Sequence, residues 1–161
     1  MSSPAERLTA LGLELPPVAT PLAAYVPAVR SGDLVFTSGQ LPTVGGQLQA
    51  VGKVGAEVSA EDAAACARLA ALNGLAAVAA EIGGLDAVGR VVKVVVFVAS
   101  APDFTGHAAV ANGASELLGE VFGDAGRHAR SAVGLAVLPL DSPVEVELVV
   151  EVRSSPTVRL L

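Results

Sequence analysis

The sequence predicts an α+β domain in which two helices cover one face of a mostly antiparallel sheet. Two alanine-rich helical segments alternate with valine-rich strands in the order strand–strand–helix–strand–helix–strand–strand. Consecutive strands without a helix between them pair as antiparallel neighbours, and the helices then pack against one side of the sheet. With 161 residues, of which 52% are hydrophobic, the chain can bury a core of its own.

A short helical extension is predicted to precede this domain. Ser3-Pro4 offers an N-cap followed by a first-turn proline, which favours a helix over residues 2–13. Three prolines, at positions 16, 17 and 21, then require an extended connector. The chain is therefore expected to divide into an extension over residues 1–21, a main domain over residues 22–153 and a patternless tail over residues 154–161.

The first half of the main domain contains a predicted hairpin and the first long helix. Val26–Val29 and Leu34–Thr37 are expected to pair around a tight turn. Gln47–Val51 is predicted to form a further edge strand. Ser59–Asp62 resembles a capping box and begins a long helix that ends at Gly83-Gly84.

The second half contains the central strand, the second helix and the last two strands. Val91–Ala99 is a nearly continuous β-branched run, interrupted by Lys93, and is expected to be buried on both faces. Ser100–Asp103 repeats the capping chemistry and is expected to begin a helix that ends near Phe122-Gly123. The last two strands are predicted at Ala132–Leu138 and Val144–Val152.

The composition indicates a self-associating protein and argues against a nucleic-acid binder. Charged residues make up 16% of the chain, below the roughly 25% usual for soluble domains. A homo-oligomer would bury the excess apolar surface, including the sheet face that the helices leave uncovered. The net charge is −6 and the aromatic residues are four Phe and one Tyr. The chain therefore has few groups that could bind phosphates or stack on bases.

No cofactor or metal site is predicted. The single cysteine, Cys66, lies in a helical pattern rich in alanine and is interpreted as a small core residue. One cysteine excludes an intrachain disulfide and a Cys-based zinc cluster. His107 and His128 lack the spacing of a metal site and are interpreted as surface or gating residues.

No targeting or membrane segment is predicted either. Glu6 and Arg7 interrupt any signal-like pattern at the N-terminus. The apolar run of the long helix is short and contains Asn73 and Gly74, so it is not expected to span a bilayer. A cytoplasmic location is the resulting expectation.

The segment from His128 to Val152 contains the strongest candidates for chemistry. Arg130 stands just before the first of two otherwise apolar strands. Its planar guanidinium suits bidentate binding of a carboxylate. Glu145, inside the last strand, could then handle a proton or orient a water. Two alternatives stay open: Arg130 forms a surface or interfacial salt bridge, for instance to Glu145, or Glu145 belongs to a solvated face with Glu147 and Glu151.

These segments together resemble the YjgF/RidA family of reactive-intermediate (enamine/imine) deaminases, which also carries the label endoribonuclease L-PSP. The resemblance runs from about Leu22 to Val152 and rests on several matching segments in the same order. Its anchors are Tyr25 with the following hairpin, Phe36-Thr37-Ser38-Gly39-Gln40-Leu41-Pro42, the strand Val91–Ala99, Ala129-Arg130-Ser131, Leu138-Pro139 and Val144-Glu145-Val146-Glu147.

The resemblance implies a chorismate-mutase-like fold and a homotrimer with three sites at the subunit interfaces. It implies that Arg130 clamps the substrate carboxylate and that Glu145 positions or activates the attacking water. It also implies that Tyr25, Ser38 and Gly39 line the pocket, with the tyrosine coming from the neighbouring chain.

Two positions depart from the family pattern. Ala132 stands where the family often has cysteine. Asn112 matches the asparagine usual on the second helix only if one residue is inserted before Arg130. Asn112 is nevertheless a candidate substrate-binding residue.

The resemblance therefore implies a cofactor-free hydrolase that converts small 2-imino or enamine acids, such as 2-aminoacrylate, to 2-keto acids and ammonia. A second hypothesis is a non-catalytic trimer that binds a small carboxylate metabolite as a sensor, which would need Arg130 but not Glu145. A third, ribonuclease, follows from the older family label, but the acidic charge and the lack of stacking residues argue against it.

Overall fold

The structure is a computed structural model that describes residues 2–21 and 23–153. The tail predicted over residues 154–161 lies outside the described residues. The helices are α1 (Pro4–Ala10), α2 (Ala60–Ile82) and α3 (His107–Phe122). The strands are β1 (Ala28–Ser31), β2 (Leu34–Thr37), β3 (Thr43–Val44), β4 (Gln47–Leu48), β5 (Val88–Ala99), β6 (Ala129–Leu135) and β7 (Val144–Val152).

Five strands form the main sheet in the order β1-β2-β7-β5-β6. Its neighbours are antiparallel except β5 and β6, which are parallel because α3 connects them as a crossover. The predicted mostly antiparallel α+β fold is thus confirmed. β3 and β4 form a separate hairpin around Gly45 and Gly46, so the edge strand expected over Gln47–Val51 does not join the main sheet.

Helices α2 and α3 cover one face of this sheet and form the core with it. Along β7, Val144 and every second residue after it are buried, while the residues between them are half-buried. Gly113 of α3 sits directly against α2, since a Cβ there would lie 1.9 Å from the Ala64 carbonyl oxygen. The alanine-rich helices therefore pack closely, as a core poor in aromatic residues requires.

Helix α2 begins and ends where the sequence predicts. The Ser59 side chain accepts a hydrogen bond from the Asp62 amide at 3.0 Å, and Gly83 ends the helix in the left-handed region with φ of 84°. By length and composition alone α2 could cross a membrane, but 72% of its most apolar window is buried inside the protein. Its apolar surface is therefore explained by packing in the core.

The N-terminal extension docks on the main domain. Ser3 and Glu6 form a capping box at the start of α1, and the Ala5 amide donates to Asp86 Oδ1 at 3.0 Å. Leu8 is buried in the core. The extension is therefore a packed part of the fold.

Two of the element boundaries that differ from the prediction bear on the candidate site. α3 begins at His107 with Gly106 as its N-cap, because Ala101 bonds back to Val54 and the residues after Ser100 form a turn. β6 begins at Ala129, so Arg130 lies inside the strand and not before it. The parallel pairing with β5 extends β6 in this direction.

The other face of the sheet is uncovered by the described part of the chain and is partly apolar. Val29 of β1 is 52% exposed, Phe36 of β2 is 44% exposed and Val133 of β6 is 42% exposed. Cross-strand pairing places Phe36 beside Val149 and Val133 beside Phe97 on this face. We call this surface the open face of the sheet.

Candidate active site

Arg130 projects toward α3, on the helix-covered side of the sheet. In the parallel ladder it pairs with Val94, which is fully buried under the helices, and paired residues share a face. Its Nη1 donates to Asn112 Oδ1 at 2.8 Å and to Ser115 Oγ at 3.1 Å. Its Nη2 donates to the Ala108 carbonyl oxygen at 3.4 Å. Helix α3 therefore holds the guanidinium from one side.

The opposite edge of the Arg130 guanidinium is available to a ligand. Among residues 2–21 and 23–153, no carboxylate forms an ion pair with it, and Nε–H and one Nη2–H have no acceptor. Nε–H and the Nη2–H beside it are parallel donors, which is the arrangement that binds both oxygens of a carboxylate. Asn112, whose position the sequence left uncertain, is placed directly beside this arginine.

Glu145 lies on the open face of the sheet. It pairs with Phe97 of β5, while its neighbours Val144 and Val146 are buried beneath the helices. Burial raises the pKa of the Glu145 carboxyl, and the charge of Glu147 raises it further. A half-buried carboxyl with a raised pKa holds its proton more readily than an ordinary glutamate, which suits it to proton transfer.

Gly39 lies against the Glu145 side chain because the segment after β2 continues alongside β7. The backbones of Gln40 and Val146 exchange hydrogen bonds of 2.8 and 2.9 Å. A Cβ on Gly39 would lie 1.7 Å from Glu145 Oε1. A side chain at this position would displace the Glu145 carboxyl, and the Ser38–Gly39 motif instead places a bare stretch of backbone against it.

Ser38 and Tyr25 lie near the Gly39 backbone. Ser38 Oγ donates to the Val26 carbonyl oxygen at 2.6 Å, which ties the end of β2 to the segment before β1. Tyr25 and Gly39 both line a cavity of about 480 Å³, whose outer wall is the proline-rich segment 16–21. Tyr25 is 47% exposed. The N-terminal extension thus forms part of the wall of the candidate pocket.

The candidate residues form two separate groups within one chain. Arg130 and Asn112 lie at the edge strand β6 under α3, whereas Glu145, Ser38 and Gly39 lie around β7. Strand β5 stands between β6 and β7, and Arg130 and Glu145 project from opposite faces. Within the described residues of one chain, Arg130 and Glu145 therefore form no salt bridge.

Two residues near Arg130 were missed as site residues. Ser115 bonds to Arg130 and, at 2.9 Å, to Nε2 of His128. Two spacings in the sequence could have indicated them. Asn112 and Ser115 are three residues apart, which places them on one helix face. His128 and Arg130 are two residues apart, the spacing that places side chains on one side of an extended chain. His107 is likewise half-buried and bonds to Ser100 Oγ at 3.1 Å, so neither histidine is a plain surface residue.

The described residues contain no cluster of three or more His, Cys, Asp or Glu side chains that could hold a metal ion. Cys66 is buried, and burial raises the pKa of its thiol, with the charge of Asp62 adding to the effect. It lies in the core, as predicted, and a buried thiol with a raised pKa is a poor nucleophile.

Comparison with known proteins assigns the family. Residues 5–152 match the family described as YjgF/chorismate mutase-like, putative endoribonuclease. The chain belongs to the YjgF family. The chain is similar to Protein TCP17 of Trypanosoma cruzi. The two are 46% identical over 153 residues, which span 93% of this chain and 94% of that protein.

Solved structures extend the comparison to the YjgF fold. The structure of a putative endoribonuclease from Shewanella oneidensis superposes with a TM-score of 0.90 at 37% identity, covering 93% of this chain and 99% of that one. E. coli TdcF, solved with bound serine, superposes with a TM-score of 0.60 at 30% identity, covering 87% of this chain and 94% of that one. The chorismate-mutase-like fold is thus established.

Proposed function

We propose that this YjgF protein is a cofactor-free hydrolase of small 2-imino and enamine acids, such as 2-aminoacrylate. The observation that carries the proposal is Arg130, held by Asn112 and Ser115 with a bidentate edge open. A substrate with one carboxylate fits that edge. The serine bound to E. coli TdcF, a structural relative, is a molecule of this size that bears a carboxylate.

The active site is proposed to form between subunits of a homotrimer. Arg130 and Glu145 project from opposite faces of the sheet, so one chain cannot bring both to the same substrate. The partly apolar open face supplies a surface for association. In the proposed trimer, the neighbour's edge strand β6, which carries Arg130, lies beside Glu145, Gly39 and Tyr25 of the first chain.

The chemistry then requires only orientation and one proton carrier. Arg130 binds the carboxylate and fixes the adjacent imine carbon. The Glu145 carboxylate takes a proton from water as the oxygen bonds to the iminium carbon, and the C=N electrons move to nitrogen. Glu145 returns that proton to nitrogen, and the C–N bond breaks. The hydroxyl proton is lost to solvent as the carbonyl forms, which leaves a 2-keto acid and ammonia. This iminium forms when an enamine takes a proton from solvent at its terminal carbon, or when an imine takes one at nitrogen.

Ammonia release from 2-aminoacrylate tests this proposal. A pyridoxal-phosphate dehydratase generates the enamine from serine, and its decay is followed with wild type, Arg130→Ala and Arg127→Ala. Arg127 is a matched control, since its side chain is 85% exposed and, among the residues that the structure describes, pairs only with nearby Asp124. We expect acceleration by wild type and by the control, and none by Arg130→Ala. Equal rates with and without the wild-type protein would contradict the proposal.

The sensor hypothesis is kept as the second candidate because the Arg130 group is complete without Glu145. A sensor would bind pyruvate equally well as wild type and as Glu145→Gln, and would accelerate no imine. RNA cleavage that survives repurification and requires Arg130 would instead favour the ribonuclease activity that the family description names.

A further inference from the structure

Arg130 is connected to His128 through the hydroxyl of Ser115. His128 Nδ1 lies 2.6 Å from the Gly126 carbonyl oxygen, and His128 Nε2 lies 2.9 Å from Ser115 Oγ. Ser115 Oγ in turn lies 3.1 Å from Nη1 of Arg130. All three residues are half-buried, between the middle of α3 and the start of β6.

The direction of each hydrogen bond in this chain follows from the groups involved. A carbonyl oxygen can only accept, so His128 Nδ1 carries the proton. In the neutral ring Nε2 is then an acceptor, and the Ser115 hydroxyl donates to it. The lone pairs of Ser115 Oγ consequently face Arg130, whose Nη1 can only donate. The backbone carbonyl of Gly126 thereby fixes the orientation of Ser115.

We propose that Ser115 and His128 are positioning residues for the carboxylate-binding arginine. His128 sets the rotation of the Ser115 hydroxyl, and Ser115 keeps Nη1 of Arg130 turned toward α3. The Nε–H and Nη2–H edge is then presented to the ligand without reorganisation. This inference rests on the proposed role of Arg130, but it predicts a property of Arg130 that exists without any ligand.

The contribution of Ser115 differs from that of Asn112 in one respect. Asn112 is exposed and its amide oxygen accepts from Nη1 without a further described partner. Ser115 is held in turn by a ring whose own orientation is tied to the backbone. Chains of hydrogen bonds with a fixed direction restrict a side chain more than a single contact does. Loss of His128 should therefore act on Arg130 even though the two side chains share no hydrogen bond.

Nitrogen NMR of the unliganded full-length protein tests the positioning directly. We expect His128 to show the Nδ1–H tautomer, and Arg130 to show separate, slowly rotating Nη1 and Nη2 protons. Ser115→Ala and His128→Leu should merge the Arg130 signals. Ser115→Thr keeps the hydroxyl and His128→Gln keeps an acceptor, so both should preserve them. Unchanged Arg130 signals in Ser115→Ala, or an Nε2–H tautomer for His128, would overturn the inference.

Binding of pyruvate, measured by calorimetry, separates this inference from the proposed function. Loss of one hydrogen bond to a charged group should weaken pyruvate binding by about tenfold in Ser115→Ala, with Ser115→Thr near wild type. In turnover the same variant should raise KM more than it lowers kcat. If Arg130→Ala binds pyruvate as wild type does, the proposed role of Arg130 fails. If Arg130→Ala abolishes binding while Ser115→Ala does not weaken it, only the positioning role fails.

Discussion

At the scale of single residues, the decisive feature is that Arg130 and Glu145 face opposite sides of the sheet. The alternation of valine and glutamate in β7 shows from sequence alone that Glu145 leaves the buried face. The direction of Arg130 could not be predicted in this way. It depends on the register of β6 against β5, which pairs Arg130 with Val94, and no local pattern encodes that register.

The contacts of Arg130 could not be predicted from the sequence either. Asn112 and Ser115 lie 18 and 15 residues before it, and they meet it only because α3 folds back over β6. The residue types were recognisable, since arginine at an apolar strand is unusual. Their assembly is a property of the tertiary structure.

Glu145→Gln should lower turnover by at least about a hundredfold, since general acid–base catalysis contributes that much or more. Pyruvate binding should change little, because Arg130 carries the carboxylate contact. Initial rates of ammonia release and calorimetry on the same preparation measure the two effects. A variant that keeps wild-type turnover would remove Glu145 from the mechanism.

The same substitution should change how stability depends on pH. The pKa of Glu145 is raised in the folded protein above the ordinary 4.5, mainly by burial. The folded state therefore binds more protons than the unfolded chain, and the free energy of unfolding falls as the pH rises from the ordinary to the raised pKa. Glu145→Gln should match wild type below that interval and be relatively more stable above it. Urea unfolding across this range tests the prediction, and a difference independent of pH would contradict it.

Cys66 should be unreactive in the native protein. Burial of the thiol raises its pKa and restricts access. Ellman's reagent should modify it slowly in buffer and rapidly in denaturant. Rapid modification of the folded protein would show that Cys66 is accessible and reopen a chemical role for it.

At the scale of elements, the strands and helices were predicted where hydrophobic pattern and capping agree. Ser59 and Gly83 bound α2 as expected, and β5 and β7 are found at their predicted centres. Helix α3 begins later in the chain than predicted. The polar residues Ser100 and Asp103 resemble a cap, but the backbone there bonds across to Val54, which is a tertiary contact.

The close contact of α2 and α3 provides a matched pair of substitutions on one helix. Gly113→Ala would bring a Cβ to 1.9 Å from the Ala64 carbonyl oxygen, so it should destabilise the protein by about 1–3 kcal/mol. Gly119→Ala meets nothing within 4 Å and should stabilise it by up to about 1 kcal/mol. Chemical denaturation measures both values. Equal effects of the two substitutions would contradict the proposed packing.

At the scale of the whole molecule, the composition and the fold lead to the same expectation of self-association. The chain has few charged residues for its size, and the structure leaves Phe36 and Val133 on the open face of the sheet. A site that needs both faces of the sheet then needs more than one subunit. Neither observation alone specifies a trimer, which the resemblance to the YjgF/RidA family implies.

Substitution on the open face should therefore dissociate the oligomer. Phe36→Glu places a charge on the surface proposed to bind a neighbour, whereas Val44→Glu, at a site 57% exposed on the β3–β4 hairpin, is a matched control. Sedimentation velocity should show a trimer for wild type and the control, and smaller species for Phe36→Glu. Ammonia release should be lost together with the trimer. A trimeric Phe36→Glu protein would exclude this face from the interface.

The most direct test of an active site shared between subunits is complementation between two inactive variants. Arg130→Ala and Glu145→Gln subunits are coexpressed with different tags, mixed oligomers are isolated, and ammonia release from 2-aminoacrylate is measured. If each site takes Arg130 from one subunit and Glu145 from the next, every mixed cyclic trimer restores one of its three sites. The account predicts that recovery. Mixed oligomers as inactive as the two parent variants would contradict it, since they would place both residues of every site in one chain.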